Sequence, residues 1–294
     1  MPEVIPKPNH KRLPEWLKAS LPKNKKFFEL KSLVQKYNLN TVCESASCPN
    51  IGECWDAGTL TFMILGDSCS RACKFCDVAT GNLLSPNPDE PARIAETLSK
   101  LNLRYAVITS VDRDDLPDGG AEHWVKTITM IRTLCPSIKI ETLIPDFQGD
   151  MGQVGKICEA NPDVLAHNLE TVKSLQQNIR PQCRYTWSLD TLKTASLRKN
   201  LIVKSSLMLG LGEKESEVIN AMKDLVESGC QILSLGQYLR PSPRHTEVIE
   251  FIHPDQFLRY KQIGESLGLA HVEAGPLVRS SYMADQQARE VGLA

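Results

Sequence analysis

The chain has 294 residues, of which 41% are hydrophobic and 23% charged, with a formal net charge of −1. That length and balance suit one large globular core with extensions. No run approaches the roughly 18 apolar residues of a membrane span, and MPEVIPKPNHKRLPEW lacks the continuous apolar stretch of a secretion signal, so neither membrane insertion nor export is expected.

The first forty residues carry nine Lys or Arg against three acids, a balance of +6 that leaves −7 for the remainder. Such an arm reads first as a solvated face and second as a means of steering an acidic partner, with Lys23, Lys25 and Lys26 the residues in question. No basic stripe with interleaved aromatics continues down the chain, so nucleic acid is not an expected partner.

Residues 1–58 carry no strand-helix unit, but they hold Cys43, Cys48 and Cys54 in CESASCPNIGEC, an irregular Gly-, Pro- and Asn-containing stretch. From Leu60 onward, β-branched runs alternate with helical spacing. Strands are expected at 60–65, 105–111, 138–143, 164–168, 201–209 and 231–238. Amphipathic stripes fall between them at Ile94/Leu98/Leu101, Trp124/Ile128/Ile131/Leu134 and Val218/Met222/Leu225. Six successive β-α units imply parallel strands with crossover helices. Six are too few for a complete eight-fold barrel, so the expected fold is α/β, a partial (βα)6 TIM-type barrel. An N-terminal extension (1–58) would precede the barrel (59–250), and a C-terminal helix and tail (251–294) would close it.

Polar clusters follow the expected strand ends, where loops of such a barrel share one face. The first, CSRACKFC, places Cys69, Cys73 and Cys76 directly after the apolar run at 60–65. A tetrahedral zinc site uses four protein ligands, commonly as paired C-x2-C, and this spacing suits it poorly. A 4Fe-4S cluster takes one thiolate per iron, so three cysteines leave one iron open to a small molecule.

C-x3-C-x-aromatic-C, with Phe75 as the aromatic residue, resembles the signature of the radical S-adenosylmethionine (SAM) enzymes. Cys43-x4-Cys48-x5-Cys54 fifteen residues upstream narrows the resemblance to the lipoyl synthase family. Further matches are TSVDRDDLPDGGA (109–121), ETLIPDF (141–147), HNLETV (167–172), LMLGLGE (207–213), GQYLRPS (236–242) and VRSSY (278–282). The resemblance implies two 4Fe-4S clusters. Cys69, Cys73 and Cys76 would hold the one that cleaves SAM. Cys43, Cys48, Cys54 and Ser281 would hold an auxiliary cluster that gives up its sulfur. The resemblance implies Ser281, since in that family the serine immediately before the tyrosine holds the auxiliary cluster; neighbours in an extended segment face opposite ways, so Ser280 would not reach the same iron.

The implied reaction is radical insertion of two sulfur atoms, at C6 and C8 of an octanoyl group on a lysine of a lipoyl carrier domain or H protein. The implied partners are that carrier, a reductant such as ferredoxin or flavodoxin, and an iron-sulfur carrier for cluster repair. A cytoplasmic monomer is expected. For SAM, the expected contacts are Asp118, Gly119 and Gly120, together with Glu141, Asn168 and Glu170. Each also has a plain reading as a tight turn, helix cap or loop polar group. His167 reads equally as a packed structural histidine, and His245 and His253 as structural or exposed. Cys135, Cys158, Cys183 and Cys230 show no metal spacing and read as small buried hydrophobes.

Two departures from the family pattern stand out: Ser206 where Gly is expected, and Met283 where His is common. Two rival classes remain at this point. A biotin synthase-type enzyme would share only the second trio of cysteines. A two-cluster electron carrier would need four cysteines per cluster.

Overall fold

The computed structural model describes residues 13–18, 25–37, 39–46, 48–57, 59–101 and 103–293. Lys23, and the side chains of Lys25 and Lys26, lie outside the described residues.

Seven strands build one sheet: β1 (Thr61–Ile64), β2 (Tyr105–Ser110), β3 (Lys139–Leu143), β4 (Val164–Ala166), β5 (Ile202–Leu209), β6 (Ile232–Gln237) and β7 (His271–Gly275). Every pair is parallel and each strand lies beside its predecessor in the chain, so the sheet is an arc that does not close on itself. All four residues of β1 and all six of β6 are buried, which explains why these strands read as continuous apolar runs.

The first six strands fall within the expected segments. The seventh is an addition at the sheet edge to the six expected. It lies in the closing segment, where only Val272 of the five residues is buried, so HVEAG carries no apolar alternation to announce it.

The main crossover helices are α1 (Glu90–Leu101), α2 (Ala121–Leu134), α3 (Met151–Glu159), α4 (Tyr185–Ser196) and α5 (Glu215–Glu227). Trp124, Ile128 and Ile131 of α2 and Val218, Met222 and Leu225 of α5 are buried as their spacing predicts. Leu134, expected on the same stripe, is exposed at the last position of α2. The C-terminal helix α6 (Pro254–Ser266) leads into β7, and α7 (Ala284–Glu290) ends the described chain. In α7, Ala284 and Ala288 pack with Tyr105, Val107 and Val164, while Gln287 accepts a hydrogen bond from Ser234 of β6.

The cysteine-bearing stretch before β1 and the segment after β7 meet beside the sheet. A short helix at Ile51–Ala57 carries Cys54, and Asn50 just before it donates its side-chain amide to the Leu277 carbonyl at 2.5 Å. At Gly236 of β6, a Cβ atom would overlap the Val278 carbonyl oxygen, so glycine is what allows the returning tail to lie against the strand.

Candidate iron-sulfur and SAM site

Cys69, Cys73 and Cys76 follow β1 and stand on the wall of one cavity of ≈ 540 Å³, together with Phe75. The cavity is also walled by residues from the C-terminal ends of β2, β3, β5 and β6, where ligands of parallel barrels bind. The Cys69 sulfur accepts backbone N–H groups from Asp112 (3.3 Å) and Arg71 (3.5 Å).

The loop is anchored by Arg71, whose side chain is fully buried. Its guanidinium meets Asp114 at 2.7 Å, Asp146 at 2.6 Å and Asp112 at 3.5 Å, and donates to the Cys183 sulfur at 3.1 Å. The segment after the fourth strand fastens the same loop: Lys74 N–H donates to the Ile179 carbonyl at 2.9 Å, and Ala72 N–H to the Gln182 side chain at 2.7 Å. From the other side, Thr246 N–H donates to the Lys74 carbonyl at 2.9 Å and His245 Nε2 meets the Cys76 carbonyl at 3.0 Å, which makes His245 structural.

Burial pushes the Cys69 thiol up to about 12 and Cys76 to about 11. Cys73 is raised too, first by its hydrogen bond with Cys183 and then by burial. These thiols are therefore neutral near pH 7 until a metal displaces their protons. Three sulfurs facing an open cavity suit a cluster that takes one thiolate per iron and leaves an iron for a small molecule. Among the described residues, no three His, Cys, Asp or Glu side chains draw close enough to grip a single metal ion.

A smaller recess lies beside this cavity. Cys43, Cys48 and Cys54 line it, and so do Thr61, Arg279, Ser281 and Tyr282. Cys43, Cys48 and Ser281 also face the larger cavity, so the two spaces adjoin. The Ser281 hydroxyl accepts a hydrogen bond from Thr61 at 3.0 Å. Ser280 lines the larger cavity alone.

The segment is a turn, closed by Tyr282 N–H to the Arg279 carbonyl at 3.0 Å. The extended alternation expected of the two serines is thus replaced by turn geometry. Met283 adopts a left-handed φ of 46°. Burial raises all three thiols of the recess, Cys54 to about 12.

The expected SAM contacts divide into two groups. Asn168 and Glu170 line the cavity, with Asn168 Nδ2 donating to Glu170 at 3.0 Å. The Asn168 side-chain oxygen is buried and has no partner among the described residues, so it is available to a bound molecule.

Asp118, Gly119, Gly120 and Glu141 are not on the cavity wall. Asp118 accepts N–H groups from Gly120 (2.9 Å) and Glu122 (2.8 Å), which caps α2. A Cβ on Gly119 would meet Phe147 at 2.8 Å and one on Gly120 would meet Leu65 at 2.6 Å, both at positive φ. This turn is built for packing. Glu141 is sealed within the sheet, where it accepts from Lys204 at 3.0 Å and from the Tyr105 hydroxyl at 2.5 Å. His167 touches the cavity, but both ring nitrogens are engaged, with the Ile144 carbonyl (2.8 Å) and Ser188 (2.9 Å).

Residues not singled out from the sequence complete the wall. Asp112 stands 3.6 Å from the Cys69 sulfur, with its carboxyl raised by burial. Arg180 is buried beside Glu170 and Cys73. The charge alternation in VDRDD signals ion pairing, yet nothing in it points to Arg71 as the partner. Cys183 is buried as expected, but against Cys73 rather than in plain apolar packing.

The radical SAM superfamily model matches residues 63–225, and the N-terminal domain of lipoyl synthase of the radical SAM family matches residues 3–48. The lipoyl synthase of Thermus thermophilus is 51% identical over 287 residues, covering 97% of this chain and 89% of its own length. That of Flavobacterium psychrophilum is 50% identical, covering 93% and 94%. The mitochondrial lipoyl synthase of Nematostella vectensis is 49% identical, with the same coverage.

In fold alone, the chain resembles the FeFe-hydrogenase maturase HydG from Carboxydothermus hydrogenoformans, with a TM-score of 0.57 at 12% identity over 92% of this chain and 69% of that one. It also resembles Streptococcus suis SuiB bound to S-adenosylmethionine, with a TM-score of 0.53 at 14% identity over 81% and 56%. A cavity-lining trio of cysteines on an open parallel barrel, and half-identity to these relatives over nearly the whole chain, lead to one assignment: this chain belongs to the lipoyl synthase family of radical SAM enzymes.

Proposed function

We propose that the chain inserts sulfur at C6 and C8 of an octanoyl group on a lysine of a lipoyl carrier domain or H protein, using an auxiliary 4Fe-4S cluster as sulfur donor. The observation that supports this reading is the recess lined by Cys43, Cys48, Cys54 and Ser281, which adjoins the cavity of Cys69, Cys73 and Cys76. When bound, the clusters and SAM supply a deoxyadenosyl radical and the sulfur.

The chain's own residues do the rest. Residues 1–58 bring three cysteines, 59–250 the barrel and 251–294 the serine. Cys69, Cys73 and Cys76 hold one cluster, and Cys43, Cys48, Cys54 and Ser281 the other. Asn168, Glu170, Arg180 and Asp112 present polar groups to SAM from the cavity wall. Met63, Leu143, Ile144, Leu207 and Met208 offer an apolar lining for an acyl chain and keep water from the reacting carbons. Serine oxygen is a harder ligand than thiolate and holds iron of a sulfide cluster less well, so the serine-held iron is the first to let go.

Burying about seven methylene units at ~0.8 kcal/mol each contributes roughly 5–6 kcal/mol. That corresponds to only about 0.1 mM, so contacts with the carrier's surface add to the affinity, and the basic arm around Lys23 is where an acidic carrier domain would dock. Ferredoxin or flavodoxin serves as reductant and an iron-sulfur carrier rebuilds the spent cluster, in a cytoplasmic monomer.

Anaerobic reconstitution tests the reading. It predicts about eight irons per chain, SAM cleavage and conversion of an octanoylated lipoyl domain to the lipoyl form. About four irons, or SAM cleavage without sulfur transfer, contradicts it.

A further inference from the structure

Thr61 opens β1 and is almost fully buried, with its place fixed by pairing with Val107 of β2. It lines the recess together with Cys43, and its hydroxyl donates to Ser281 Oγ at 3.0 Å, across 220 residues of sequence. One residue of the barrel therefore reaches the oxygen that the C-terminal turn brings to the recess. A β-branched side chain is stiff about χ1, so the backbone of β1 sets the direction of the Thr61 hydroxyl. Serine on a surface-reaching turn has three staggered rotamers open to it, and a hydrogen bond selects one.

We propose that Thr61 is a positioning residue for the auxiliary cluster, its hydroxyl keeping Ser281 Oγ turned into the recess toward the iron left over by Cys43, Cys48 and Cys54. The inference rests on the reading of that recess as the auxiliary site. Without the hydroxyl, Ser281 turns away and the fourth iron loses its protein ligand. The cysteine-held irons stay, because the change leaves Cys43, Cys48 and Cys54 untouched. Outer contacts of this kind commonly change metal affinity by about 10–100-fold.

The test uses the full chain carrying Cys69→Ala, Cys73→Ala and Cys76→Ala, so that only the auxiliary site can load. After anaerobic reconstitution this background is expected to hold about four irons. Adding Thr61→Val, which keeps the side chain's shape, should leave roughly three, with the electron paramagnetic resonance signature of an oxidised three-iron cluster once ferricyanide has removed one electron, and iron loss to a chelator at least about tenfold faster. Thr61→Ser should restore the fourth iron. Ser281→Ala should match Thr61→Val, and the two together should add nothing further.

Four irons retained in Thr61→Val with an unchanged rate of loss, or additive effects of the two substitutions, would overturn the proposal. A background that takes up no iron while Thr61 is intact overturns the auxiliary-site reading instead, so the two failures are distinct. Folding is checked by adding Thr61→Val to a chain with Cys43→Ala, Cys48→Ala and Cys54→Ala, where the other cluster should load normally. If it does not, Thr61→Ala replaces Thr61→Val and the same iron counts decide.

Discussion

Asn50 and Leu277 are bound to one another across 227 residues: the buried Asn50 amide donates to the Leu277 carbonyl at 2.5 Å and ties the cysteine-bearing N-terminal loop to the turn that carries Ser281. Tyr282 adds a second tie, its hydroxyl donating to Glu53 at 3.1 Å. Asn50→Leu removes the donor and leaves the half-buried Leu277 carbonyl without it, a loss of about 1 kcal/mol. The expected outcome in a reconstituted variant is depleted auxiliary iron with the Cys69–Cys76 cluster intact, read by iron analysis and by denaturant midpoint. Equal loss from both sites would show that the tie serves the whole fold instead.

Arg71 is held by three carboxylates and is itself fully buried, as is Asp146. Removing one partner of such a network strands a charge in a medium that solvates it badly. Arg71→Met is expected to destabilise the metal-free chain by about 3–5 kcal/mol. Chemical denaturation measures this directly, and a change below about 1 kcal/mol, the range of exposed pairs, would mean that the pair is not desolvated in solution.

These two cases mark how far the sequence could be read. The cysteine trios stood out by their spacing and Ser281 only through the family resemblance; the structure gathers Cys43, Cys48, Cys54 and Ser281 at one recess and Cys69, Cys73 and Cys76 on one cavity wall. The first six strands were legible because both faces of a parallel sheet are apolar. The strand at His271–Gly275 was not, since four of its five residues are only partly buried. Nor were Arg71 and Arg180, because long-range ion pairing leaves no periodic trace. Asp118, Gly119, Gly120 and Glu141 were expected at the SAM site from their places after strands or near strand ends, yet a helix cap and a sealed ion pair occupy those same places.

Glu141 supplies a test of that last distinction. Its carboxylate lies between Lys204 and Tyr105 and away from the cavity. Glu141→Gln is expected to lower stability by about 3–5 kcal/mol, the range for breaking a buried pair, while the SAM dissociation constant stays unchanged in equilibrium binding. A tenfold weaker SAM affinity with normal stability would restore Glu141 to the SAM site.

His167 gives a pH prediction. Burial is the main force lowering its pKa, from 6.5 to about 4. A depressed folded-state value means that the neutral ring favours the fold: the contribution is complete above pH 6.5 and is lost as pH falls toward 4. The total is on the order of 3 kcal/mol. Urea denaturation from pH 7 to 4 should show a steeper acid loss in the native chain than in His167→Asn. Parallel pH curves would contradict the neutral assignment.

The central claim is that the sulfur of the product comes from the recess of Cys43, Cys48, Cys54 and Ser281. The most direct measurement is a single anaerobic turnover by enzyme whose cluster sulfide carries a heavy sulfur isotope, with an octanoylated lipoyl domain and no other sulfide present. The account predicts a lipoyl product carrying that isotope at both positions, with loss of one cluster per product formed and the Cys69–Cys76 cluster retained. Unlabelled sulfur in the product, or both clusters intact after turnover, would contradict it.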